Sequence, residues 1–170
     1  EYKMEIILII ILIVLVISIA VISVPVVSRL IFHGNLLVGG ESYHNIEIAR
    51  KIMIGEIRFG PLDRELGAYH LLVAYLGSVI GLENSARLLS VVLSALSACL
   101  FYIIARRLIN DLRTSVIVTL ILIFSPAFLY LAISSVPDTL MIFLVLTATL
   151  FSLSGKGVPL LVSGAILMGV

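Results

Sequence analysis

Residues 84–107 read NSARLLSVVLSALSACLFYIIARR, and this stretch decides the fold. Asn84 or Ser85 is suited to cap a helix start, because a short polar side chain accepts from the exposed N–H groups of the first turn. The run from there to about Ala105 is nearly all apolar. A bilayer-spanning helix needs ~20 such residues. Ser90, Ser94, Ser97 and Ala98 put small side chains three or four apart, which lets helices approach closely where lipid supplies no hydrophobic drive. Arg106, Arg107 and Arg113 follow, with Asn110 and Asp111 between them. A short basic loop of this kind faces the cytoplasm.

Working outward, the same pattern recurs. Residues 114–135 form a second apolar stretch, with Pro126 expected to kink it. Val136-Pro137-Asp138-Thr139 is a sharp polar break, and 138–153 is the next span. Ser154-Gly155-Lys156-Gly157 is a tight loop with one positive charge. Residues 158–170 are apolar but too short to cross, so we expect a longer polytopic protein of which this is the N-terminal part. At the other end, 4–27 is almost pure Ile, Leu and Val. A cleaved signal sequence would carry an apolar core of only ~7–15 residues, so a span is the better expectation.

Composition agrees. The 170 residues are 61% hydrophobic and 12% charged, whereas a soluble domain carries about 25% charged residues. The expected class is all-α, a polytopic bundle of transmembrane helices. A net charge of +1 argues against a nucleic-acid surface. The single cysteine, Cys99, cannot form an intrachain disulfide. With Lys3, the Arg106–Arg113 loop and Lys156 inside, the N-terminus is cytoplasmic. The Gly39–Glu83 segment and Pro137-Asp138 then share the extracytoplasmic face of a multi-pass cell-membrane protein.

The outer loop, 33–83, is the polar part of the chain. It opens with Gly39-Gly40-Glu41-Ser42-Tyr43-His44-Asn45. From Ser42 to Ile54, Tyr43, Ile46, Ala49, Ile52 and Met53 recur at helical spacing, with Asn45, Glu47, Arg50 and Lys51 on the other side. That pattern predicts an amphipathic helix lying in the interface plane. Gly55, Gly60 and Pro61 break it. Residues 65–82 are a second apolar stretch, marginal as a span and expected to pack at the membrane surface or dip partway in.

Ionisable groups beside lipid need a reason. Glu41 at a helix start is ordinarily an acid in the field of the helix dipole. Its sharper reading is a general base, or an oxygen ligand for a divalent cation. Asp138 is ordinarily a helix cap, and its sharper reading is a second acid in the same outer cavity. Tyr43 and His44 are suited to a sugar hydroxyl or phosphate, although an interfacial Tyr is equally a membrane anchor. Arg50, Lys51, Arg58 and Arg64 would suit a diphosphate or an anionic head group, or form a solvated face with the interleaved acids. His70, within an apolar run, reads as a hydrogen-bonded packing residue. No phosphate loop, H-E-x-x-H or paired C-x-x-C is present, so nothing points to an ATPase, a zinc peptidase or a redox protein.

The order of these elements resembles the N-terminal part of the GT-C class of integral-membrane glycosyltransferases, which includes protein O-mannosyltransferases, aminoarabinose transferases and oligosaccharyltransferase catalytic subunits. The string from Glu41 to Arg50 is similar to the acidic first-loop motif of that class. Ile54 through Gly55 to Pro61 resembles the Gly-then-Pro spacing after it, and Ser134-Ser135-Val136-Pro137-Asp138 resembles the second acidic motif. The likeness lies in order and spacing, over essentially this whole chain but only the first third or so of a typical member. It implies transfer of a sugar from a polyprenyl-phosphate-linked donor to an acceptor on the extracytoplasmic face. Glu41 and Asp138 would be the catalytic acids. Tyr43, His44, Arg50, Arg58 and Arg64 would bind substrate. A divalent cation (Mg or Mn), where one is used, would be held by Glu41 and Asp138. The partners implied are the lipid-linked donor and membrane lipid. The first acid is Glu where Asp is commoner, which lengthens its arm. The later spans and C-terminal domain are missing, so this stretch alone is expected to be inactive. Two other classes compete: a transporter segment, expected to show mid-span charges and broken helices, and a scaffold subunit indifferent to both acids.

Overall fold

The computed structural model describes residues 6–7, 10–18, 40–56 and 67–153. Among these residues every regular element is an α-helix. They are α1 (10–18), α2 (Gly40–Met53), α3 (Ala68–Ile80), α4 (Leu82–Ile109), α5 (Leu112–Ile123), α6 (Pro126–Ile133) and α7 (Asp138–Leu153). The expected stretches at 33–39, 57–66 and 158–170, and most of 4–27, lie outside the described residues.

The 28-residue α4 is the axis of the molecule, and it packs against α2, α3, α5, α6 and α7. It begins earlier than the sequence suggests. Gly81 is its N-cap at φ 86°, a left-handed backbone that glycine adopts without Cβ strain. Ser85 therefore lies inside the helix, not before it. Its hydroxyl donates to the Leu82 carbonyl (2.8 Å) and to the Val73 carbonyl of α3 (3.1 Å), stitching the two helices together. The Asn84 amide likewise points back, to the Ile80 carbonyl. At the far end Asn110 turns left-handed (φ 54°) and donates to the Arg106 carbonyl, which closes the helix.

The α3–α4 hairpin is tight. A Cβ on Gly77 would lie 2.5 Å from the Leu82 Cδ2 and 3.2 Å from its Cα, so glycine lets the two helices approach this closely without displacing Leu82. Tyr69, Val73 and Ala74 of α3 pack with Ala49 of α2 and Ala86 of α4 in one apolar cluster. A second cluster lies further along α4. There Leu12 and Val16 of α1 meet Ala95, Ala98 and Tyr102 of α4, Ile123 of α5 and Phe128 of α6. The small residues of α4 face these contacts, as close helix packing requires.

The expected single span at 114–135 is instead two helices, α5 and α6, bent by 61°. Asp111 caps α5, accepting from the Thr114 N–H at 2.8 Å. The break has a local cause. Pro126 has no N–H to offer the Leu122 carbonyl. The Ser125 N–H takes that carbonyl instead (3.0 Å), and Ser125 becomes extended (φ −66°, ψ 136°). Ser125 then caps α6 with Pro126 in its first turn, a favoured helix start.

α7 spans the residues expected of it, 138–153. α4 is long and apolar enough to cross a membrane, and α5 with α6 qualifies only if the bent pair is one span. α3 and α7 are apolar but shorter, at 13 and 16 residues.

A candidate site at the junction of two acid-bearing turns

After α6 the Ser134 N–H still reaches the Tyr130 carbonyl (2.9 Å), and the chain then runs through Ser135 and Val136, both buried and outside any helix. Buried backbone groups need partners. α2 supplies them. The Ser135 N–H donates to Ser42 Oγ (3.1 Å), and Asn45 Nδ2 donates to the Ser135 carbonyl (3.3 Å). Ser42 and Asn45 are three apart and so share one helix face. Two side chains of α2 thus hold both backbone groups of a residue about 90 positions away.

Asn45 is itself held from behind. Its Oδ1 lies 3.0 Å from His70 Nε2. The Gly67 N–H donates to His70 Nδ1 (3.3 Å), so that nitrogen is the acceptor and Nε2 carries the proton toward Asn45. His70 stands three residues after Gly67, the N-cap of α3, and its own N–H returns to the Gly67 carbonyl. It fills the place that Glu or Gln takes in a capping box. The expectation that His70 is a hydrogen-bonded packing residue matches this geometry. Tyr69 packs edge-on against its ring at 5.8 Å, and the Tyr69 hydroxyl lies 3.4 Å from Ser90 Oγ.

The buried face of α2 is partly the one expected. Of the apolar stripe, Ala49 is buried and Ile46 and Ile52 pack against the same cluster, whereas Tyr43 and Met53 are 46% and 45% exposed. Ser42 and Asn45 join the interior because Ser135 and His70 offer them hydrogen-bond partners. Asn45, expected among the solvated residues, is therefore interior.

Glu41 stands in the first turn of α2, next to Ser42. Its side chain lies outside the described residues. Asp138 is exposed and is the first residue of α7, not its cap; the Pro137 carbonyl accepts from the Leu140 and Met141 N–H groups. The Ser42–Ser135 bond brings these two acid-bearing turns to one end of the bundle. Both acids sit in the first turns of their helices.

Tyr43 and His44 are exposed on the outer side of α2. Arg50 is exposed and already paired. Its Nε and Nη2 donate to the two carboxylate oxygens of Glu47 at 2.9 and 2.8 Å. The hydrogen bond from Arg50 holds the Glu47 carboxyl below its ordinary range, and the Glu47 acceptor raises the Arg50 guanidinium. Solvent screens this pair. Arg58 and Arg64 lie outside the described residues. Among the described residues no three His, Cys, Asp or Glu side chains converge.

Three features escape a sequence reading. Asn45 and Ser135 carry no local signal, since their partners are distant in the chain. Arg87 is the third: a half-buried base inside α4, just before the charge-free run 88–105. Its signal was available as the last charge before that run. No protein-family model, curated protein or solved structure matches this chain.

Proposed function

We propose that this chain belongs to a multi-pass membrane enzyme that moves a sugar from a polyprenyl-phosphate donor to an acceptor on the extracytoplasmic face. The observation that carries the reading is the Ser42–Ser135 hydrogen bond, which joins the turn bearing Glu41 to the turn leading into Asp138. In the proposed reaction a carboxylate accepts the acceptor hydroxyl proton. The acceptor oxygen bonds the anomeric carbon, the bond from that carbon to the phosphate oxygen breaks, and polyprenyl phosphate leaves. A base of the outer segment offsets the charge that develops on the phosphate. A donor with its tail in lipid and its sugar outside would reach an interfacial site laterally.

The test is sugar transfer from a lipid-linked donor by the complete protein, comparing Glu41→Gln and Asp138→Asn with the unaltered sequence. Loss of a general base costs about 10²–10⁴-fold, and the reading requires at least one variant to fall in that range. Normal turnover in both, with folding intact, ends it. A transporter segment is the second reading, supported by the 61° break between α5 and α6. Against it, residues 114–133 contain no Asp, Glu, Lys or Arg near that break. Substrate uptake into sealed vesicles without covalent change of the substrate would favour it.

A further inference from the structure

We propose that Ser42, Asn45 and His70 are positioning residues that fix the first turn of α2 against the 135–138 turn. The sugar-transfer role of that arrangement rests on the reading above; the latch itself does not. The donors run in one direction. Gly67 N–H points to His70, the His70 Nε2 proton to Asn45 Oδ1, and Asn45 Nδ2 to the Ser135 carbonyl. The direction is what gives the chain its rigidity. Turning the Asn45 amide over would set its oxygen against the Ser135 carbonyl and its NH₂ against the His70 N–H. Both contacts would then be repulsive between buried groups. Ser42 adds a second point of attachment on the same residue, accepting from Ser135 N–H.

Two bonds on one residue, one to its N–H and one to its carbonyl, fix the peptides on either side of it in orientation as well as distance. Asp138 follows three residues later and Glu41 precedes Ser42 by one. The latch therefore controls how the two turns face each other. Neither Ser42 nor Asn45 is exposed, which suits an indirect role and not a substrate contact.

Asn45→Asp tests this without changing side-chain shape, since it keeps the oxygen facing His70 and removes the donor to Ser135. Ser42→Ala removes the second point. In the complete protein, both variants should lower kcat by about 10- to 100-fold, the effect of a misplacement near 1 Å, while KM for the lipid-linked donor stays close to the original. The companion measurement is oxidative cross-linking of a Ser42→Cys/Ser135→Cys pair, which should form a disulfide readily and more slowly once Asn45→Asp is added. Unchanged kcat in both variants overturns the positioning role. So does a fall in kcat matched by an equal loss of folded, protease-resistant protein, because that is a structural effect. Cross-linking indifferent to Asn45→Asp overturns the latch. If the unaltered protein transfers no sugar but the cross-link behaves as described, the transfer reading fails and the latch stands.

Discussion

At the scale of single residues, the chain shows which polar side chains strongly apolar helices retain. His70 was legible because a lone imidazole in an apolar run has to be hydrogen-bonded when buried. Asn45 was not, because its partners come from a turn 90 residues on and a helix 25 residues on; spacing within α2 alone assigns it to solvent. Gly77 gives the sharpest mutational expectation. A Cβ there would meet the Leu82 Cδ2 at 2.5 Å and the Leu82 Cα at 3.2 Å, so the leucine side chain must shift and the hairpin must open by a few tenths of an ångström. Gly77→Ala should cost about 1–3 kcal/mol, the usual range for overpacking, seen as a lower thermal midpoint in detergent. Gly67→Ala, with the nearest atom at 3.8 Å, should leave that midpoint nearly unchanged. Asp111 gives a pH expectation. The side-chain hydrogen bond from Thr114, with its backbone N–H, holds the Asp111 carboxyl below its usual range. The cap is therefore fully present above the ordinary carboxylate pKa of about 3.9 and is lost as pH falls through the lowered value. Amide-exchange protection at Thr114, whose N–H bonds the Asp111 carboxylate, should persist at pH 5 and disappear in stronger acid. Asp111→Ala should remove it at every pH.

At the scale of elements, composition revealed helices more reliably than their ends or faces. α2, α4 and α7 lie where apolar runs and polar breaks put them. α4 starts earlier than a cap at Asn84 or Ser85 predicts, because glycine at position 81 performs the reversal. Two glycines four residues apart, Gly77 and Gly81, were the available signal. Between α5 and α6, the sequence predicts a kink and the helix breaks. A proline alone removes one hydrogen bond, but here Ser125 uses the interruption to start a new helix with its own side-chain cap. Removing both features should therefore restore continuity. In Ser125→Leu/Pro126→Leu, an N–H returns to position 126 to meet the Leu122 carbonyl. Spin labels at Arg113 and Ile133 should move apart by several ångströms as the 61° bend opens. An unchanged distance would mean that packing against α4 sets the bend and the local sequence does not. Ser125→Ala alone should cost about 1 kcal/mol, the typical worth of a cap, without altering the bend.

At the scale of the whole molecule, one arrangement reconciles the lengths with the charges. Between Arg87 and Arg106, α4 has eighteen residues free of Asp, Glu, Lys and Arg. At 1.5 Å per residue they extend about 27 Å, close to the ~30 Å hydrocarbon thickness of a bilayer. The α2–α3 layer and the 134–138 turn gather at the Leu82 end of α4, since Ser85 bonds Val73, Tyr69 meets Ser90, and Ser42 and Asn45 bond Ser135. Arg106, Arg107 and Arg113 gather at the other end, the pattern of a cytoplasmic side. The proposed topology thus predicts two groups of surface positions separated by a membrane. In a Cys99→Ala background, His44→Cys and Asp138→Cys should react with an impermeant thiol reagent from one side of sealed vesicles. Asn110→Cys and Arg113→Cys should react only after the vesicles are opened, or from the opposite orientation. His44 and Asp138 are exposed on the described surface, as are Asn110 and Arg113, so burial within the protein would not mask the result. Reaction of all four positions from one side would remove α4 as a span. Opposite behaviour of His44→Cys and Asp138→Cys would be more damaging still. The hydrogen bonds between α2 and Ser135 require those two turns to share a side, and a site built from Glu41 and Asp138 depends on it.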